Sequence, residues 1–324
     1  MKNISKLTPR ERDRISLWHS RKLSIRQIAH KLHRAPSTIS REIGRNKFGN
    51  HYVAIHAQAQ TKRKRSKSGR KSSFQDPLIY RYVVDKLRSG WSPEQIAGRL
   101  PKDHSDKSIH WETIYRLVYS DQGKHKGLYE YLPRKHKKRA KKYGRTVRRS
   151  RIPDRVSIHE RPKEVEKRST FGHWEGDSVV GKWHKSGIHT QVERKTRFIA
   201  AKLIKDFTAD ETVRAQKQVF NHLPEIAKKS TTVDNGKEFT NHKQFELPVY
   251  FCDPYASWQK ATNENTNGLI RRYLPKKTDF RTITQKDLDD IVEEINNRPR
   301  KCLNYQTPLE AFTNELSVAI EKRM

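Results

Sequence analysis

Residues 173–204 read HWEGDSVVGKWHKSGIHTQVERKTRFIAAKLI, and the fold turns on this stretch. Its apolar runs predict three strands, His173–Val180, Ile188–Arg194 and Arg197–Ile204, the last two joined by a turn at Lys195-Thr196. Downstream the period changes. Ala209–Leu223 predicts a helix with Thr208 as its cap, and Ser230–Val233 and Pro248–Phe251 predict two short strands. Helices follow around Glu264–Tyr273, at Gln285–Asn296, and from Pro308 to about Lys322. Strand–helix alternation by itself supports an α/β domain.

Three strands, helix, strand, helix, strand and then helices is the order of a ribonuclease-H-like α/β domain. The rest of the chain has a different texture. Of the 324 residues, Leu, Ile, Val and Phe make up 21%, just enough for a core in parts of the chain. The formal charge is +34, unevenly placed: residues 1–160 hold 41 basic and 13 acidic side chains, residues 161–324 hold 29 and 23. A strongly basic half beside a near-neutral half predicts a polyanion-binding arm joined to another kind of domain. Cys252 and Cys302 can build neither a disulfide framework nor a CxxC metal site. With no apolar leader and no membrane-length apolar run, a cytoplasmic, nucleoid-associated protein is expected.

The basic half contains a repeat. Residues 24–43 read SIRQIAHKLHRAPSTISREI and residues 92–117 read SPEQIAGRLPKDHSDKSIHWETIYRL. Gln27-Ile28-Ala29 matches Gln95-Ile96-Ala97, and Thr38-Ile39-x-Arg41 matches Thr113-Ile114-x-Arg116. Each copy predicts a short helix, a polar break and a second helix, the pattern of a helix-turn-helix whose second helix enters the DNA major groove. In the first copy a preceding helix is capped by Thr8 with Pro9 at its first position, Ser24 caps the second helix and Ser37 the third. Candidate DNA contacts are Ser37, Thr38, Ser40, Arg41 and Arg45 on the first recognition helix, and Thr113 and Arg116 on the second. The basic runs 62–71 and 134–151 are expected to track phosphates. The expected organisation is therefore all-α helix-turn-helix units followed by the α/β domain. Residues 1–50 form the first DNA-binding unit, 51–75 a basic linker, 76–125 a second such unit, 126–164 a basic linker and 165–324 the ribonuclease-H-like α/β domain with C-terminal helices.

Carboxylates at the ends of the α/β elements carry the candidate chemistry. Asp177 lies on the first strand, Asp234 ends a short strand just before the Asn235-Gly236 turn, and Glu264 lies near a helix start. Three converging carboxylates make a hard oxygen site suited to Mg²⁺ or Mn²⁺. Glu175, two residues from Asp177, is expected to form a local salt bridge. Arg271, Arg272, Lys276 and Lys277 continue the Glu264 helix and are candidates for gripping phosphates beside the site.

The stretches WEGDSVVGK, VDNGKEF, DPYASWQKATNENTNGLIRRYLPKKTDF and INNRPRKCLNYQTPLEAF, with LTPRERDRISLW and STISREI at the N-terminus, resemble the bacterial insertion-sequence transposases of family thirty. These are D-D-E enzymes of the retroviral-integrase type. The resemblance spans nearly the whole chain and implies that Asp177, Asp234 and Glu264 are the D-D-E triad. It also implies binding of the element's terminal inverted repeats, two divalent ions, and strand cleavage and transfer into target DNA. Handling two ends implies a homodimer or higher assembly on DNA. Two features depart from the family pattern: only 29 residues separate Asp234 from Glu264, and Ala261 stands where glycine is expected. The competing expectations are a helix-turn-helix transcriptional repressor with an inactive integrase-like domain and a ribonuclease-H-type nuclease acting on RNA–DNA hybrids, the latter disfavoured by the paired DNA-reading units.

Overall fold

The computed structural model describes residues 6–48, 51–67, 74, 76–132, 152–254 and 256–321. The basic run 134–151 lies outside them. The chain divides into two units, Met1–Asp76 and Pro77–Met324.

In the first unit, α1 (Pro9–Ser20) opens on a capping box: Thr8 Oγ1 accepts from Glu11 N, and Glu11 accepts from Thr8 N. Ser24 and Gln27 do the same for α2 (Ile25–Lys31). Helix α3 (Pro36–Asn46) starts otherwise. Its cap is Ala35 with no side-chain bond, so Ser37 lies inside the first turn; Pro36, with φ already helical, sets the start. A small hairpin, β1 (Lys47–Phe48) and β2 (His51–Tyr52), leads into α4 (Ala54–Lys67). Thus part of the stretch read as a basic linker is helical, because Ala54 and Ala57 give it an apolar face; Ala57 packs with Ile15, Ile28, Ile39 and Ile43. A polar knot ties these helices together. The buried Arg12 donates to Glu42 at 2.7 Å, to Gln58 at 2.7 Å and to the Leu7 carbonyl at 2.9 Å.

The second unit begins with α5 (Pro77–Arg88), α6 (Pro93–Asp103), α7 (Trp111–Tyr119) and α8 (Asp121–His125), packed around Val83, Leu87, Ile96, Leu100, Ile114 and Val118. Ser92 and Gln95 cap α6 as Ser24 and Gln27 cap α2. The α/β part follows with β3 (His173–Val180), β4 (Gly187–Glu193), β5 (Ile199–Ile204), α9 (Ala209–Phe220), β6 (Ser230–Val233), β7 (Val249–Phe251), α10 (Ala261–Tyr273), α11 (Gln285–Asn296) and α12 (Pro308–Glu321). Its five-stranded sheet has the order β5-β4-β3-β6-β7. The β3–β4 and β4–β5 pairs are antiparallel and the β3–β6 and β6–β7 pairs parallel. This is the ribonuclease-H-like arrangement, and the short interval between Asp234 and Glu264 still contains the edge strand β7. One sheet face packs Val179, Ile188 and Val192 against Ile270 and Leu274 of α10 and Leu288 and Ile295 of α11. The other packs Trp174 against Phe220 of α9 and Phe312 of α12. With both faces covered, β4 is buried at every position.

The α5–α8 helices dock on the C-terminal part of the chain. Arg99 of α6 makes a fork to Glu310 at 2.7 and 2.6 Å, and Gln95 donates to the Pro299 carbonyl at 2.8 Å. A Cβ at Gly98 would meet the Tyr305 ring at 2.3 Å, so only glycine admits this approach. The Arg99 guanidinium holds Glu310 down at about 2. Because that carboxyl is lowered on folding, its stabilisation is complete above the ordinary carboxylate range of ~4.3 and is lost as pH falls toward 2. The melting-temperature gap between wild type and Glu310→Gln should therefore be full at neutral pH and shrink through that window. A gap that stays constant to acid pH would show that the ion pair does not hold the dock.

Candidate active site

The site forms where parallel strands β3 and β6 end side by side. Glu175 pairs with Thr232 in that ladder, and continuing the register by two residues sets Asp177 level with Asp234. The sharp turn at Asn235-Gly236 is held by Asp234 itself, whose Oδ1 accepts from Gly236 N at 3.0 Å. That leaves Oδ2 for Lys260.

Between the two aspartates sits the ammonium of Lys260, 3.2 Å from Asp177 Oδ1 and 3.3 Å from Asp234 Oδ2, and 3.2 Å from the Gly176 carbonyl. Lys260 ends the turn that leads into α10 and is buried. Burial works against its charge, but Asp177 and Asp234 outweigh that and hold its pKa above the ordinary lysine range. Asp177 is pushed up by burial and by Asp234, with Lys260 pulling the other way. The other Asp177 oxygen accepts from Asn267 Nδ2 of α10 at 2.8 Å.

Glu264 stands in the first turn of α10, one turn past Lys260, with its side chain exposed. As placed, no three His, Cys, Asp or Glu side chains among the described residues close on one point. The structure therefore brings Asp177 and Asp234 together through a cation and sets Glu264 on the adjoining helix without joining it to them. The donor set nonetheless fits a divalent ion: two hard carboxylates already share a positive charge, and a third is carried on the helix beside them.

Glu175 forms the expected local ion pair, and its role is structural. It is fully buried, bound to Arg194 at 2.6 Å, and accepts from the Asn263 backbone N–H at 2.9 Å. That N–H belongs to the first turn of α10, which has no helical partner for it, so Glu175 fixes the start of the helix that carries Glu264. Glu193 on β4 is also held structurally; it accepts from Gly172 N, Lys195 N, Thr196 N and Thr196 Oγ1 and so closes the β4–β5 turn. Glu238 lies against Gly236, and burial followed by the charges of Asp234 and Asp177 pushes its carboxyl up.

Among the candidate DNA contacts, Ser37, Ser40, Arg41 and Arg45 lie exposed along α3, while Thr38 is half-buried. Arg41 Nε donates to the Ser37 carbonyl at 3.0 Å, leaving its other donors outward. On α7, Thr113 is half-buried and Arg116 is exposed, paired with Glu112 at 3.1 Å. Arg271 and Arg272 are partly committed elsewhere, to the Val180 carbonyl at 2.5 Å and the Gly90 carbonyl at 3.3 Å. Lys276 and Lys277 are exposed, as is Trp258 beside the Lys260 turn. Lys260 and Arg194 were not distinguished by sequence reasoning. The only signal for Lys260 is its place in WQKATNE, four residues before Glu264 on what becomes the same helical run.

A family model described as a helix-turn-helix domain matches residues 3–46. The transposase for insertion sequence element IS1086 of Cupriavidus metallidurans is 37% identical, over 96% of this chain and 95% of its own length. Transposase InsI for insertion sequence element IS30A of Escherichia coli is 39% identical, over 95% of this chain and 83% of its own length. The transposase for insertion sequence element IS4351 of Bacteroides fragilis is 37% identical, over 97% and 98%. A solved structure of the catalytic core domain of BIV integrase covers 46% of this chain and 98% of that chain, at 19% identity with a TM-score of 0.37. Relatives this similar over nearly the whole length show that the chain belongs to the family of bacterial insertion-sequence transposases that includes those of IS30 and IS1086.

Proposed function

We propose that this transposase cuts and rejoins DNA by divalent-metal-dependent phosphoryl transfer, with Asp177, Asp234 and Glu264 holding two Mg²⁺ or Mn²⁺ ions. The observation that carries the reading is the convergence of Asp177 and Asp234, from adjacent parallel strands, on one cation position. When bound, such ions supply activation of an oxygen nucleophile and charge stabilisation at the leaving oxygen. The chain's own residues set the geometry. Asn267 aims one oxygen of Asp177, the Gly236 N–H aims Asp234, and Glu175 anchors the helix that presents Glu264. The proposed nucleophiles are water and then a DNA 3′-OH, so no covalent protein–DNA intermediate is required.

The first helix-turn-helix would read the element's terminal inverted repeats, with α3 in the major groove. Two ends must be handled together, so the working form is proposed to be a homodimer or higher assembly on DNA. Incubating the full chain with duplex carrying the element's end tests the reading: strand nicks at the end with Mg²⁺ and none in EDTA are expected. A repressor would bind the same duplex and leave it intact.

Arg41→Ala should relax discrimination at one base pair of the end, since Arg41 is exposed on α3. Loss of one good base contact costs about 1–3 kcal/mol of discrimination. Binding to specific and random duplex, measured at one salt concentration, decides the point. Equal losses on both would make Arg41 a phosphate contact instead.

A further inference from the structure

Lys260 presents a problem that the proposed chemistry does not use. A lysine side chain 10% exposed places its ammonium against three oxygens, those of Asp177, Asp234 and Gly176. Three acceptors use the whole donor capacity of an ammonium, so the group is fully partnered where it sits. Two carboxylates brought this close without a cation would repel each other; with Lys260 between them, most of that repulsion is offset.

The same oxygens are those a divalent ion needs. An ammonium and a divalent cation cannot share one carboxylate pair in a partly buried site, because like charges at such range repel strongly where water is scarce. The lysine stem is flexible and starts at the turn before α10, so the ammonium can leave without unfolding the helix. A released ammonium is hydrated in the free protein and pairs with an anion when one is brought beside it, and the anion that reaches this site in a transposase is a DNA phosphodiester.

We infer that Lys260 is an internal counter-ion: it holds Asp177 and Asp234 together before DNA arrives, yields them to the divalent ion, and pairs instead with a phosphate of the bound strand. This rests on the reading of Asp177 and Asp234 as metal ligands. It makes metal uptake and DNA binding mutually reinforcing through one side chain, since whatever draws the ammonium away favours the other partner.

Mn²⁺ binding to the full chain, followed by titration calorimetry with and without end duplex, tests the inference without any measurement of cleavage. Without DNA, Lys260→Met should bind Mn²⁺ at least about tenfold tighter than wild type, and Lys260→Arg, which keeps the charge, should stay near wild type. End duplex should tighten Mn²⁺ binding in wild type and do so less in Lys260→Met. In EDTA, Lys260→Met should melt below wild type, with the difference closing as Mn²⁺ is added. If that variant folds only with metal, the Mn²⁺ dependence of its melting temperature gives the same affinity, and failure to recover in millimolar Mn²⁺ overturns the inference. Affinity in Lys260→Met equal to or weaker than wild type, while Asp177→Asn loses binding, removes the counter-ion role and leaves the metal site standing. Unchanged Mn²⁺ binding in Asp177→Asn removes the metal site, and the inference with it.

Discussion

Asp234→Asn should abolish metal-dependent strand cleavage while leaving specific end binding nearly intact. The substitution keeps the side-chain shape. An asparagine keeps the Oδ1 acceptor that takes the Gly236 N–H at 3.0 Å, so the turn after β6 survives. What disappears is the charge on the oxygen that pairs with Lys260. Removing one preorganised charge-stabilising group costs on the order of 10²–10³-fold in rate, and a direct metal ligand should cost at least that. Recognition is expected to hold because the matched helix-turn-helix, residues 3–46, is remote in sequence and contains none of the triad. Mobility shift and cleavage should be measured on the same end duplex with Mg²⁺. Cleavage by the variant within about tenfold of wild type would exclude Asp234 as a metal ligand, the loss being far short of that expected for such a group.

The two carboxylates were legible because local sequence rules fix their places. A strand bounded by Asn-Gly must turn, and an acid just before that turn ends up at the strand's C-terminal edge. Strands β3 and β6 and helix α11 likewise have the bounds the sequence predicts, His173–Val180, Ser230–Val233 and Gln285–Asn296. Lys260 was illegible for the opposite reason. In a chain with 70 lysines and arginines, one more basic residue carries no local signal, and only the tertiary fold buries it between two acids. The docking of α6 against Tyr305 and Glu310 is of the same kind. It joins residues about two hundred positions apart, and neither the Gly98 pocket nor the Arg99 fork leaves a pattern in either segment alone. Helix α4 was hidden by its own composition: the basic tail of residues 62–67 masks the alanines that pack its first turns.

Breaking the ion pair beneath the site should have the largest effect on stability. Glu175 is fully buried and Arg194 is 4% exposed, so neither charge has water to fall back on. Glu175→Gln keeps the shape and an oxygen for the Asn263 N–H but leaves the Arg194 guanidinium buried without its counter-charge. Removing one partner of a buried pair costs ~3–5 kcal/mol. In a unit of this size that corresponds to a fall in melting temperature on the order of 10 °C. Cleavage should fall as well at a temperature where the variant is folded, because a neutral amide oxygen holds the Asn263 N–H more weakly than the carboxylate does, and that bond fixes the first turn of α10 and with it the position of Glu264. Adding Arg194→Met removes the orphaned charge with little change of volume, so the double variant should melt higher than Glu175→Gln alone. It should not regain full cleavage, since the charged anchor of the helix start is still gone. The two readouts separate the roles: recovery of melting temperature without recovery of rate identifies Glu175 as a positioning residue. A single variant that melts within about 1 °C of wild type, a difference well under 1 kcal/mol, would mean that the pair does not stabilise the sheet, and a rate equal to wild type beside it would mean that Glu175 does not hold α10 in place.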